Sequence, residues 1–82
     1  DLDERLVDML GTRFAYMRAA ARIKPERGQV RDEARKAAVI AAARARAEVL
    51  DLPGECIEAI WEGLVEASIA YELAHWDERR QT

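Results

Sequence analysis

The feature of this sequence that most constrains its fold is the spacing of its apolar residues, which recur every three or four positions in three separate stretches. That spacing is the period of an α-helix and not of a strand. In the first stretch the series is Leu2, Leu6, Met9, Leu10, Phe14, Met17 and Ala20. Pro25 disfavours helical backbone angles at Lys24, and Pro53 with Gly54 forms a second breaker. The pattern predicts an all-α chain with one helix over about Asp1 to Ile23, a second from near Asp32 to about Leu50, and a third that follows the Asp51–Gly54 breaker and runs to about Glu78.

The length of 82 residues predicts a single helical domain over residues 1–82. Half of the residues are hydrophobic but only 6% are aromatic, because alanine supplies much of the apolar count. Alanine favours helix without filling much volume, so the core of one chain is small. Long helices in so short a chain leave apolar surface uncovered. We therefore expect a homodimer, with the first helix contributing heavily to the interface.

Charge and hydropathy exclude several classes of function. The formal charge of −3 shows no basic excess, so we expect no nucleic-acid partner. The longest apolar run, residues 37–43, is too short to span a membrane, and no signal peptide is visible. These features predict a cytoplasmic protein. With Cys56 as the single cysteine and His75 as the single histidine, no intrachain disulfide, metal site or other cofactor site is expected.

Charged side chains interrupt the apolar stripe of the first helix. Arg13 lies on the apolar face, and Lys24 follows eleven residues later on the same face. Their Cα atoms would be about 16 Å apart on a straight helix, which lets the two cationic heads flank a small dianion. Two other interpretations stay open. Arg13 could extend its head to water or pair with a core carboxylate such as Glu72, and Lys24 could be a solvated charge at the helix end.

The third helix carries a similar anomaly, because Ser68 and Glu72 lie one turn apart on its apolar stripe. A buried carboxylate needs a partner, whereas a helical serine often bonds only to a backbone carbonyl. At the start of the second helix, Asp32 reads as an N-cap and Arg35 as a surface charge. No nucleophile accompanies these groups. The set suits binding of a small polyanion, or a reaction that needs only conformational restraint and electrostatics.

An ordered set of motifs carries a family resemblance. It consists of Leu2-Asp3, then Arg13 and Lys24, then Val30-Arg31-Asp32 with Arg35, and finally Ser68 with Glu72 four residues later. From Asp3 to Trp76 the chain resembles the all-α chorismate mutase family, including its isochorismate pyruvate lyase branch. The resemblance implies an intertwined helical homodimer with two composite active sites and no cofactor.

The resemblance also implies a reaction, the Claisen rearrangement of chorismate to prephenate. Arg13 and Arg35 would bind the substrate carboxylates, and Lys24 would donate to the ether oxygen and to a carboxylate. Glu72 would face the ether oxygen and could donate a hydrogen bond only when protonated, so we expect activity to fall as the pH rises. Because Lys24 lies at a helix end, its removal is expected to lower the rate and leave the fold intact.

The resemblance assigns roles to two further residues, and the chain differs from the family pattern at two positions. Asp32 would hold the ring-hydroxyl end of the substrate, partly through its backbone, and Ser68 would line the pocket. Many mutases have a glutamate where this chain has Lys36, which bears on the ring substituent that is accepted. The family also has an arginine about seven residues before the position of Asp3, which reaches into the neighbouring subunit. We expect this cationic clamp upstream of Asp1.

Three functions are weighed against one another. A chorismate mutase is favoured by Arg31-Asp32 and by Glu72, which stands where the lyase branch is expected to have glutamine. An isochorismate pyruvate lyase, which would form salicylate from isochorismate, is favoured by a gap-free spacing and by Tyr16, Ala19-Ala20 and Trp76. The third hypothesis is a non-catalytic helical dimer or ligand-binding module.

Overall fold

The computed structural model describes residues 1–81 and contains three α-helices. They are α1 (Leu2–Ile23), α2 (Glu33–Val49) and α3 (Gly54–Arg79), with a short 3-10 turn at Arg27–Gln29 between α1 and α2. No strand occurs in the described range. The prediction of an all-α chain with three helices is therefore confirmed, and the helix ends lie within a residue or two of the predicted ones. None of the helices in these residues has the length and apolar content that crossing a bilayer requires.

Local sequence signals account for these helix ends. The side chain of Asp1 accepts the N–H of Glu4 at 2.8 Å and caps α1. Lys24 leaves the helix with an extended backbone (φ −75°, ψ 122°), as expected for a residue that precedes proline. The carboxylate of Asp32 accepts the N–H of Arg35 at 3.0 Å and caps α2. Asp32 is thus an N-cap, as the sequence predicts.

The end of α2 turns through Asp51, which has a left-handed backbone with φ of 57°. The N–H of Leu52 donates to the carbonyl of Ala47 at 2.8 Å, and the N–H of Asp51 donates to that of Glu48 at 3.1 Å. This pair of bonds is a Schellman motif, and it satisfies two carbonyls that the helix end leaves open. Glycine is the usual residue at the left-handed position, so aspartate there holds a strained conformation.

The chain forms two compact units, residues 1–30 with residues from 68 onward, and residues 31–67. In the first unit the buried residues are Ala21, Val30, Ser68, Ile69 and Glu72. The second unit buries Ala47 and Val65. On α2, Ala47 is buried, whereas Val49 two residues later is 73% exposed.

The first half of α1 leaves its apolar side uncovered. Leu2, Leu6, Val7 and Met9 are each at least half exposed, between 50% and 68%. From Phe14 onward the same helix is largely half-buried, and Ala21 is fully buried. The predicted inward stripe of α1 is therefore covered within the chain only in its second half.

Candidate active site

The first pair of predicted site residues meets between α1 and α3. Nη1 of Arg13 donates to Oγ of Ser68 at 2.6 Å, across 55 positions of sequence. Ser68 is only 3% exposed, and Arg13 is half-buried. The guanidinium on the apolar stripe of α1 therefore points toward a buried hydroxyl. Because a guanidinium presents five donors, one bond to Ser68 leaves several N–H groups to bind an anion.

The second pair is an ion pair with a buried member. Nζ of Lys24 lies 2.7 Å from Oε2 of Glu72, whose side chain is 5% exposed, whereas that of Lys24 is 29% exposed. The interpretation of Lys24 as a solvated charge at a helix end is therefore wrong. The interpretation of Glu72 as the partner of Arg13 is also wrong, because Lys24 occupies the carboxylate. The register between α1 and α3 decides this pairing.

The two pairs lie side by side because of helical geometry. Ser68 and Glu72 are separated by one turn of α3, so their side chains emerge from the same face. Arg13 lies on α1, and Lys24 is the C-cap of that helix about three turns later. The first unit thus brings together two cations, one acid and one hydroxyl. Such a set can bind an anion, donate hydrogen bonds and stabilise developing negative charge.

The other two predicted site residues, Asp32 and Arg35, lie in the second unit. The carboxylate of Asp32 is engaged in capping α2. The guanidinium of Arg35 is exposed, and within residues 1–81 it has no hydrogen bond or ion pair. A cation without an internal partner is available to a ligand, but the place of both residues in a substrate site stays a prediction.

Lys36, the residue that departs from the family pattern, belongs to a charge cluster in the second unit. Its side chain is 15% exposed, and Nζ lies 2.7 Å from a carboxylate oxygen of Glu62 and 2.7 Å from one of Glu66. Hydrogen bonds to Glu62 and then to Glu66 raise the pKa of Lys36. Its ammonium therefore serves two carboxylates of α3.

Glu66 is the centre of that cluster. The guanidinium of Arg31 binds both of its oxygens, at 3.0 and 2.8 Å, and also reaches Glu33 at 2.8 Å. Hydrogen bonds from Arg31, followed by those from Lys36, lower the pKa of Glu66 to about 2. Arg31, which the family pattern highlights beside Asp32, is thus tied to α3. Nothing in the local sequence signals a pairing across 35 positions.

Sequence reasoning missed a group of contacts around the backbone of Lys24. Nε1 of Trp76 donates to the carbonyl of Lys24 at 3.0 Å. Arg80 donates to the same carbonyl at 2.6 Å and to that of Ala21 at 2.9 Å. The presence of Pro25, which has no N–H, is the one sequence signal that α1 needs such donors at its end.

Within residues 1–81, His75 and Cys56 make no hydrogen bond or ion pair with Lys24 or Glu72. The ring of His75 lies 4.5 Å from that of Tyr71, and Nδ1 lies 3.7 Å from a carboxylate oxygen of Glu78. Cys56 is exposed and free. Among residues 1–81, no group of three or more histidine, cysteine, aspartate or glutamate side chains is arranged to hold a metal ion.

The sequence of this chain matches a protein-family model. The family model described as chorismate mutase type II matches residues 1–73. No curated protein and no solved structure matches the chain. The matched range includes Arg13, Lys24, Ser68 and Glu72, and it ends before Trp76 and Arg80.

Proposed function

The chain belongs to the chorismate mutase type II family, and from that premise we propose that it rearranges chorismate to prephenate. The observation that carries the proposal is the 2.7 Å contact between Lys24 and the buried carboxylate of Glu72, beside the Arg13–Ser68 pair. In this Claisen rearrangement the ether C–O bond breaks as a new C–C bond forms in the same molecule. The reaction needs no nucleophile, so restraint of a chair-like conformer and electrostatic stabilisation suffice.

The cations have separate roles in this mechanism. Arg13 binds one substrate carboxylate and Arg35 the other, because a guanidinium matches the geometry of a carboxylate with two parallel donors. Lys24 donates to the ether oxygen and to a carboxylate. Negative charge builds on that oxygen in the transition state, so an ammonium placed there binds the transition state more tightly than the substrate.

Glu72 changes partner during the cycle that we propose. Without substrate it neutralises Lys24, which keeps a buried carboxylate paired. When substrate binds, the ammonium of Lys24 turns to the ether oxygen and Glu72 takes up a proton from solvent. The protonated carboxyl of Glu72 then donates a second hydrogen bond to the ether oxygen. Ser68 lines the pocket beside Arg13, and Asp32 holds the ring-hydroxyl end, partly through its backbone.

The second candidate is an isochorismate pyruvate lyase, which would eliminate pyruvate from isochorismate and leave salicylate. The observation that favours it is the resemblance of Tyr16 and Trp76 to that branch, with the Trp76 indole 3.0 Å from the carbonyl of Lys24. The same cations would bind the carboxylates of either substrate. The two candidates differ in the ring substituent that the substrate site must accept. Lys36, the residue that departs from the family pattern for that substituent, is paired with Glu62 and Glu66.

Product analysis tests these functions directly. The purified protein is incubated with chorismate and, separately, with isochorismate, and the products are identified by NMR. Prephenate supports the mutase, whereas pyruvate with salicylate supports the lyase. The variant Arg13→Ala should lose activity toward the true substrate, and Arg22→Ala, an exposed arginine of the same helix, should retain it. If neither substrate reacts and Arg13→Ala leaves the thermal stability unchanged, a non-catalytic ligand-binding dimer replaces both proposals.

We also propose that the protein is a homodimer that pairs through the first half of α1. Leu2, Leu6 and Met9 lie on one face of the helix and are between 50% and 68% exposed. No large side chain in the described residues is fully buried, so one chain has a small core. Burying each such side chain against a partner contributes roughly 1.5–3 kcal/mol, which favours association through this face.

A further inference from the structure

The end of α1 has an unusual requirement for hydrogen-bond donors. In a continuing helix the carbonyl of Ala21 would accept the N–H four residues later, but that residue is Pro25, which has none. Ala21 is fully buried, so water cannot replace the missing donor. A buried carbonyl without a donor is costly, and a partner must come from elsewhere in the fold.

The last turn of α3 and the residue that follows the helix supply that partner and a second donor. Nη1 of Arg80 donates to the carbonyl of Ala21 at 2.9 Å, and Nη2 donates to that of Lys24 at 2.6 Å. The indole of Trp76 donates to the same Lys24 carbonyl at 3.0 Å. The guanidinium of Arg80 also stacks on the Trp76 ring, with its carbon 4.1 Å from the ring centroid. The two side chains therefore brace one another around a single backbone carbonyl.

That carbonyl belongs to the residue whose ammonium meets Glu72. Lys24 is held at its head by Oε2 of Glu72 and at its backbone by Trp76 and Arg80. Glu72 and Trp76 lie on α3, and Arg80 is the residue that directly follows its end, so the three lie within about two helical turns of one another. The segment after Lys24 is tied to the same helix end, since Arg27 binds both oxygens of Asp77 at 2.9 and 3.2 Å. The ammonium and the backbone carbonyl of Lys24 are thus both held by residues from the C-terminal end of the chain.

From this geometry we infer that Trp76 and Arg80 are positioning residues for Lys24, acting through its backbone carbonyl. They form a clamp that places the ammonium at the reacting ether oxygen. Both residues lie beyond the range that the family model matches, residues 1–73. The inference rests on the proposed function for its catalytic consequence. The position of the ammonium is a separate property that can be measured without turnover.

The chain offers a direct reporter of that position. It has two lysines, Lys24 and Lys36. A ¹H–¹⁵N spectrum selective for lysine ammonium groups therefore contains one signal from Lys24 and one from Lys36. The Lys36 signal serves as an internal reference, because that ammonium is held by Glu62 and Glu66. The variant Lys24→Met assigns the two signals. Trp76→Phe removes the indole donor and keeps a ring, while Arg80→Met removes the guanidinium and keeps an apolar stem.

We expect Trp76→Phe and Arg80→Met to move or broaden the Lys24 signal and to leave the Lys36 signal in place. With the substrate that the wild type converts, kcat should fall by on the order of tenfold, and more than KM rises, because a displaced ammonium loses transition-state stabilisation. Arg80→Lys keeps a cationic donor and should recover part of kcat. Arg79→Met, an equal charge change at the exposed neighbouring residue, should behave as the wild type.

Several results would overturn the inference. An unchanged Lys24 signal in both variants would show that the clamp does not place the ammonium. A shifted Lys24 signal with unchanged kcat would show that the position of the ammonium does not affect the rate. An equal loss of kcat in Arg79→Met and Arg80→Met would show that the change in net charge, and not the lost clamp, lowers the rate. If the wild type converts neither chorismate nor isochorismate, the proposed function fails, and the ammonium spectrum alone decides whether Trp76 and Arg80 hold Lys24.

Discussion

Lys24 and Glu72, separated by 48 positions in the chain, form an ion pair of 2.7 Å in which the carboxylate is almost completely shielded from solvent. An arrangement of this kind stabilises the fold only while both partners are present, since either charge alone is costly to bury. Under the proposed function, the same two side chains are the acid and the cation that act on the ether oxygen. If that proposal holds, variants of this pair should affect both folding stability and rate.

Lys24→Met should lower both stability and rate. Glu72 would be left buried without its partner, so the free energy of unfolding at pH 7 should fall by about 1–3 kcal/mol. The rate should fall by roughly 10²–10³-fold, the effect of removing one donor to a developing oxyanion. Urea denaturation and steady-state kinetics measure the two effects. The helix-end position of Lys24 by itself suggests an intact fold, and the buried partner is the reason to expect otherwise.

A double variant separates the two roles of Lys24. Lys24→Met with Glu72→Gln removes the unpaired charge, so it should regain most of the lost stability while the rate stays low. The comparison of the two single variants with the double variant isolates the pairwise term. Strictly additive losses of stability would show that the two side chains do not interact in solution.

Glu72→Gln should change how the rate depends on pH. In the wild type only the protonated carboxyl can donate to the ether oxygen, so we expect the rate to fall as the pH is raised from 5 to 8. An amide donates at every pH, so the variant should show a flatter profile. Initial rates across this range, at saturating substrate, provide the measurement. A wild-type rate that stays flat or rises would remove Glu72 from the role of donor.

Leu6→Lys should weaken the proposed dimer. Leu6 is 50% exposed on the apolar face of α1, and a lysine there would put two ammonium groups into an interface that pairs this face with itself. Asp8→Asn makes the same change of charge on roughly the opposite side of the helix and serves as the control. Sedimentation equilibrium should show a monomer for the first variant and a dimer for the second. Identical dimers in both would place the interface elsewhere.

Glu66 should contribute to stability in a defined pH window. Hydrogen bonds from Arg31 and Lys36 lower its pKa from the ordinary 4.5 to about 2 in the folded chain. A carboxylate with a lowered pKa stabilises the folded state fully above pH 4.5, and that contribution disappears as the pH falls toward 2. Urea midpoints from pH 7 to pH 2 should therefore differ between wild type and Glu66→Gln near neutrality and converge in acid. Glu55, an exposed glutamate without an ion pair in the described chain, provides the control. The urea midpoints of wild type and Glu55→Gln should differ by about the same small amount at every pH.

The three helices and most of their ends follow from local sequence signals. Pro25 and the cap at Asp32 act within four residues of chain, so their effect is independent of the rest of the fold. The helical period likewise placed Arg13 with Lys24, and Ser68 with Glu72, on shared faces. The family resemblance drawn from these residues agrees with the family model that matches residues 1–73.

Which side chains contact one another depends on how the helices pack. Periodicity states which face a residue occupies, but it leaves the register between two helices open, and the register makes Lys24 rather than Arg13 the partner of Glu72. The same holds for Arg80. Nothing in the sequence around Arg80 predicts that its guanidinium donates to the carbonyl of Ala21 in place of the N–H that Pro25 lacks. Contacts across some fifty positions depend on packing, and packing is a property of the whole fold.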